Sequence, residues 1–435
     1  MSSGADPGAA GLPAPALRLR RWTDRSIVAV ALVALASGFG QYGAVAALGD
    51  VAKAFGRIAP GATIADQAGL SGTELGVGLA IIRLASLGAL PVAGLADRLG
   101  RRRMLLVTVV VGLALTALAA ASPGYWWFVA IFACGRPMLS ATNALSQVSA
   151  AEETGSKDRA KAVALVAAGY GVGAGLIAVI HSLAHSALGF RGVFALALVP
   201  LALVALVRNR VTEPDRFVVA EASSEHPVPV LGPVGSRFRA RLAVVALIAF
   251  AISVITGPAN SFVFLYAQNV VHLSGGLTAA MVVASGAAGL MGLIVGRWLA
   301  DHLGRRPTAA FGMVGVALFG VLAYSGSGGA LVLGYILGVL AGSVLAPALG
   351  ALVNELFPTS VRASVAGWFT AAGVAGAVAG LVVFGAVADI GNRWALSAIV
   401  VFLPAAAAAA LFWLVPETRG REPEQLWPEP ARPIA

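Results

Sequence analysis

Two arginines, Arg83 and Arg136, stand inside long apolar runs. Each lies about ten residues into its run, or roughly 15 Å deep at 1.5 Å per helical residue, which is midplane depth if the runs cross a bilayer. A guanidinium stays charged and is costly at that depth, so it is usually kept for function, and its planar fork matches a carboxylate. From Arg136, the polar residues Ser140, Asn143 and Gln147 follow at steps of four, three and four, which is one face of a helix. Gln41 and Tyr42 in the first apolar run, and Ser253, Thr256 and Asn260 in the seventh, offer further hydrogen bonds. No Asp or Glu sits at similar depth: Asp50 and Glu74 fall near run ends and Asp389 closes a run. An anionic solute, such as a small carboxylate, would supply the missing negative charge. The competing reading is that each arginine bonds backbone carbonyls or extends toward the interface. His181 titrates near neutral pH if exposed, though a neighbour more often caps such a residue.

A second set of charges recurs along the chain. Asp97, Gly100, Arg101, Arg102, Glu152, Arg159, Arg191 and Glu213 match Asp301, Gly304, Arg305, Arg306, Glu355, Arg362, Arg393 and Glu417 at offsets of 202 to 204 residues. Topology alone explains recurring basic loops, but not acids and glycines held in register. The spacing therefore predicts one network of Asp97, Arg98, Arg101, Glu152 or Glu153, Arg159 and Glu213, echoed by Asp301, Arg305, Glu355, Arg362 and Glu417. Such acid and guanidinium clusters form charge-assisted hydrogen bonds able to latch two halves of a molecule. Single solvated pairs would contribute little.

The elements that position these residues follow from composition. Of 435 residues, 58% are hydrophobic and only 11% charged, with a mean hydropathy of +0.86, against roughly a quarter charged in soluble domains. Spans of about 20 apolar residues fit the chain about a dozen times. We place them near 26–49, 73–96, 104–121, 126–150, 160–183 and 190–207, then 242–270, 277–300, 308–325, 329–356, 363–388 and 393–415. The fold class is an all-α polytopic membrane protein of twelve helices in two six-helix bundles related by a pseudo-two-fold axis. Its parts are a tail (1–25), an N-terminal bundle (26–207), a linker (208–241) holding Asp215, Glu221 and Glu225, a C-terminal bundle (242–415) and a tail (416–435).

Arginine and lysine crowd one side, including Arg98, Arg103, Lys157, Lys161, Arg419 and Arg421, so both termini are expected in the cytoplasm. The net charge of +10 is thereby explained by topology, and no nucleic acid is implied. Lone Cys134 and five scattered His give no metal site and no catalytic cluster. Hinges are expected at the Gly257–Asn260 break and at Pro347, where proline removes a backbone hydrogen bond.

The loop AGLADRLGRRR (93–103) and its counterpart GRWLADHLGRR (296–306) resemble the G-x-x-x-D-R-x-G-R-R signature of the major facilitator superfamily. Ala93 stands at the signature's first position, Arg297 at the same position in the second copy, and His302 in place of its second Asp-Arg arginine. ELFPTSVRASVAGW (355–368) and VPETRGREPEQL (415–426) resemble the sugar and metabolite porter branch. The resemblance implies alternating access, a charge cage closed in the outward-open state, and proton coupling as the branch's habit, with no other cofactor. It also implies a monomer in a bacterial inner membrane that takes a small-molecule substrate.

The expected function is transport of a small organic anion or polar metabolite through a midplane site. Symport, exchange and facilitated diffusion stay open. Sugar transport and drug efflux are the runners-up, the latter weakened because the antiporter pattern G-x-x-x-G-P is missing from the fifth span. A membrane enzyme or receptor is the reading from another class, and nothing in the chain carries its chemistry.

Overall fold

The computed structural model describes residues 19–58, 67–214, 231–232, 234–390 and 393–421. Asp215, Glu221 and Glu225, the first 18 residues and the last 14 positions from 422 onward lie outside the described residues. Among the described residues, twelve helices are long and apolar enough to cross a membrane. In the first half these are α1 (Arg25–Ala46), α2 (Gly72–Leu99), α3 (Arg101–Ala121), α4 (Tyr125–Glu153), α5 (Lys157–Ala184) and α6 (Ala187–Val207). The second half holds α7 (Arg239–Val270), α8 (Gly275–His302), α9 (Arg305–Ala323), α10 (Gly328–Glu355), α11 (Val361–Asp389) and α12 (Trp394–Leu414). An even number of spans puts both termini on one side, here called the proximal side.

Several boundaries differ from expectation for physical reasons. The first span stops at Ala46, and a separate short helix, Leu48–Phe55, follows it. Helices α3 and α9 each begin three residues early because their arginines form the first turn. Within α2 a 3₁₀ turn, Ser86–Gly88, separates two α-helical stretches. Pro91 explains it, since its ring clashes with the carbonyl one turn earlier and lacks the N–H that would bond there.

Close helix contact depends on glycine, as association in lipid requires. A Cβ on Gly173 of α5 would lie 2.0 Å from the Leu35 carbonyl oxygen of α1, and one on Gly376 of α11 would lie 2.0 Å from that of Phe250 in α7. The two glycines are 203 residues apart, so the repeat seen in the charges extends to packing. Between the halves α2 packs on α11, and α8 on the stretch that contains α5. Numbering each helix six further on exchanges these two contacts, as a pseudo-two-fold axis demands.

The core divides unevenly. One buried cluster, including Ile27, Val33, Leu105, Leu139 and Val166, belongs to the proximal part of the first half alone. The other runs from Leu48, Leu75 and Phe128 in the distal part of the first half into Phe262, Tyr266 and Phe384 of the second. Apolar packing thus joins the halves at the distal end. Outward-facing Leu183, Val199, Leu206, Ile294 and Phe311 are exposed, a surface suited to lipid.

Candidate functional site

A central cavity of about 470 Å³ lies between the halves. From the first half it is lined by Gln41, Tyr42, Arg83, Arg136 and Tyr170, and from the second by Thr256, Asn260, Ser285 and Tyr335. No aspartate or glutamate is among its lining residues. Arg136 Nη1 donates to the Gln41 carbonyl oxygen at 3.4 Å, a long bond, while its Nε is buried without a hydrogen-bond partner. Arg83 makes no side-chain hydrogen bond or ion pair among the described residues. Arg83, Arg136 and Tyr170 line the same cavity. Two guanidinium groups with no carboxylate among the lining residues make this wall of the cavity electropositive.

The remaining polar residues divide by role. Gln41 Nε2 donates to Ser37 Oγ and to the Leu139 carbonyl, both at 3.0 Å, and so ties α1 to α4 rather than reaching freely into the cavity. The hydroxyls of Tyr42 and Tyr335 meet at 3.4 Å across the two halves. Asn260 Nδ2 donates to the Thr256 carbonyl at 3.0 Å. Asn143 and Gln147 bond to each other at 3.5 Å and are not among the lining residues. They continue the Arg136 stripe toward the proximal side, two and three turns on along α4.

At the proximal end the repeated charges form two matching clusters, one in each half. Arg101 pairs with Asp97 at 2.7 Å and with Glu152 at 3.2 Å. Arg305 pairs with Asp301 at 3.1 Å and with Glu355 at 3.5 Å. Among the described residues these pairs hold helices of the same half together. Glu213 accepts the backbone N–H groups of Arg101 (2.5 Å) and Arg102 (3.0 Å), and Glu417 those of Arg305 (2.9 Å) and Arg306 (3.0 Å). Each is a carboxylate cap on a helix start, favoured by the orphan donors and the helix dipole. Gly100 and Gly304 make room for these caps with φ of 95° and 117°, a conformation that suits glycine.

Other members of the expected network stand elsewhere. Glu153 is buried, accepts from Ser26 at 2.8 Å and Thr212 at 3.3 Å, and lies 3.6 Å from Arg20. It ties the chain before α1 and after α6 to α4. Arg98 and Arg159 are exposed, and Arg362 donates to the Phe357 carbonyl at 3.0 Å rather than to Glu355. Glu355 instead accepts from the Thr418 hydroxyl. Replacing Glu213 with Ala should cost about 1 kcal/mol, read as a melting temperature lowered by a few degrees, because α3 then starts with uncapped donors.

The distal seam carries residues whose partners the sequence pattern does not give. Asp389, at the end of α11, accepts the Gly72 N–H at 2.6 Å and the Thr73 N–H at 2.8 Å, and so caps α2 from the other half. His181 is fully buried, with Nε2 2.8 Å from Asp50 Oδ2 and Nδ1 3.4 Å from Gln268 of α7. The α7 chain leaves α-helical form near Phe262, past Pro258, and ends in a π turn, Tyr266–Val270. Tyr324 donates to the Pro258 and Ala259 carbonyls there, at 3.3 and 3.1 Å. An acid at a helix C-terminus was the available signal for Asp389, but which helix it caps depends on the two halves meeting. Tyr170 and Tyr335 gave no signal, since one tyrosine in an apolar run reads as packing.

The description "Major Facilitator Superfamily" belongs to the family model that matches this chain over residues 30–301 and 279–435. A protein of Cupriavidus pinatubonensis named "Probable 4-methylmuconolactone transporter" is 27% identical over 385 residues, covering 84% of this chain and 88% of its own. The "Gallate transporter" of Pseudomonas putida is 27% identical over 376 residues, covering 77% and 80%. Among solved structures, the inward open conformation of the xylose transporter XylE from E. coli superimposes with a TM-score of 0.68 at 18% identity, covering 92% of this chain and 98% of that one.

Proposed function

Since this chain belongs to the Major Facilitator Superfamily, a family of membrane transporters rather than enzymes, we propose that it moves a small organic anion across the membrane by alternating access. The observation that carries this reading is the arginine pair: Arg83 and Arg136 line the central cavity, and no carboxylate lines it with them. The name of one relative, a gallate transporter, supports a carboxylate-type cargo. Sugars are a weaker match, because a polyol recruits many neutral donors and acceptors rather than two bare cations.

In this reading the proximal side is cytoplasmic, as the excess of Arg and Lys there requires, and the protein resides in a bacterial inner membrane. The conformation is then inward-facing. The distal seam is shut by Asp389 on α2, by apolar packing and by the His181 contact with Gln268. The anion enters from one side, draws the halves around it by bridging residues of both, and leaves when the opposite seam parts. The proximal clusters are free to pair across the halves once that side closes. Because no lining carboxylate is available to carry a proton, exchange or facilitated movement of the anion is the coupling we favour over proton symport.

A thermal-shift screen of the purified protein tests the reading, since a solute that binds the folded state raises the melting temperature. Carboxylates should stabilise, while neutral sugars and hydrophobic cations should not. Stabilisation by sugars or cations alone would overturn it.

A further inference from the structure

A second cavity of about 240 Å³ opens within the C-terminal half among α7, α9 and α10, and it shares Thr256, Asn260, Tyr335 and Val339 with the central cavity. The two spaces therefore meet along one wall. We propose that this side pocket receives an apolar ring of the transported anion, whose carboxylate the arginines of the other half hold. The inference rests on the anion reading and adds to it the shape and orientation of the cargo.

Three observations on the pocket point to a flat ring. The first is its floor: Gly338 and Gly342 lie one turn apart on α10, and a Cβ there would meet only the Phe319 and Val316 side chains at ordinary contact distance. This pair of glycines leaves bare backbone, a flat surface that a ring face covers well. The second is chemistry. The Thr256 hydroxyl donates to the Ile252 carbonyl at 3.0 Å, the Tyr324 hydroxyl to backbone carbonyls of α7, and the Asn260 amide to the Thr256 carbonyl. With those donors occupied and no charged residue in the lining, the hydroxyls of Ser343 and Tyr335 are what is left to meet a polar group, and the pocket is poorly equipped for a second carboxylate. The third is size, since a dry cavity of roughly 150 Å³ accepts benzene, so 240 Å³ takes one ring with a small substituent and no more.

The arrangement also supplies a reason for the halves to close. A ring carboxylic acid touches cations on the first half and glycines on the second, so it gains contacts only when both are near. A short aliphatic acid fills the arginine end alone and offers the second half little.

The test uses the full-length protein and two probes, benzoate and propionate, with affinity read by titration calorimetry. Wild type should bind benzoate at least about tenfold more tightly than propionate, as burial of a ring's apolar area predicts. Gly342→Leu and Gly338→Leu fill the pocket. A Cβ meets only Val316 at 3.6 Å in the first and only Phe319 at 3.8 Å in the second, so neither strikes backbone. Each variant should lose about tenfold in benzoate affinity and keep that for propionate within about twofold. Equal binding of the two acids by wild type, or unchanged benzoate affinity in both folded variants, overturns the side pocket and leaves the anion reading standing. Binding of neither acid overturns both.

Discussion

Arg136→Gln is expected to lower the affinity for the transported anion by about 100-fold or more, because truncating one member of a buried charge pair costs on the order of 2 to 5 kcal/mol. Glutamine keeps a hydrogen-bond donor and much of the side chain's length, so the change removes charge more than volume. Among the described residues Arg136 makes one long bond, to the Gln41 carbonyl, and its loss would cost stability little. Uptake of a carboxylate into proteoliposomes should fall accordingly while the melting temperature stays within a few degrees. Arg83→Gln should behave alike, since neither cation has a carboxylate partner in the cavity. A variant that transports as wild type with unchanged anion preference would show that the arginines serve the helices and not the cargo.

Gly76→Leu is expected to abolish transport while leaving the protein folded. A Cβ at that position would lie 2.5 Å from the Leu381 carbonyl oxygen of α11, and its three nearest neighbours all belong to α11. The clash thus exists only while the distal seam is shut, and parting the halves relieves it completely. The variant should be held open on the distal side, bind solute from there, and fail to release it on the other. Gly350→Leu is the control, since nothing lies within 4 Å of its Cβ, and it should transport normally. Full activity in Gly76→Leu would mean that the α2 and α11 contact does not have to form during the cycle.

Much of this fold is legible in the sequence because bilayer thickness sets one length scale and apolar runs report it directly. The pairing of Asp97 with Arg101 and of Asp301 with Arg305 is local, four residues along the chain, and the duplication doubles the signal. Glu213 and Glu417 were visible as repeated acids, but their targets are backbone N–H groups, which have no residue type to recognise. The polar stripe of α4 is harder to delimit for a related reason. Periodicity places Asn143 and Gln147 on the face of Arg136, yet it does not say where along that face the cavity ends. The distal seam was hidden more deeply, since the partners of Asp389, and the Gln268 beside His181, depend on how the two halves approach. Gly338 and Gly342 carry no side chain that sequence could single out, and only the space beside them shows a pocket.

The central claim is that the cavity selects its cargo by negative charge at the arginine pair. Titration calorimetry of the purified wild-type protein with benzoate and with its neutral amide, benzamide, measures that selection directly, because the two differ in charge and hardly in shape. The account predicts saturable binding of benzoate and at least about 100-fold weaker binding of benzamide. Equal affinity for the two would contradict it.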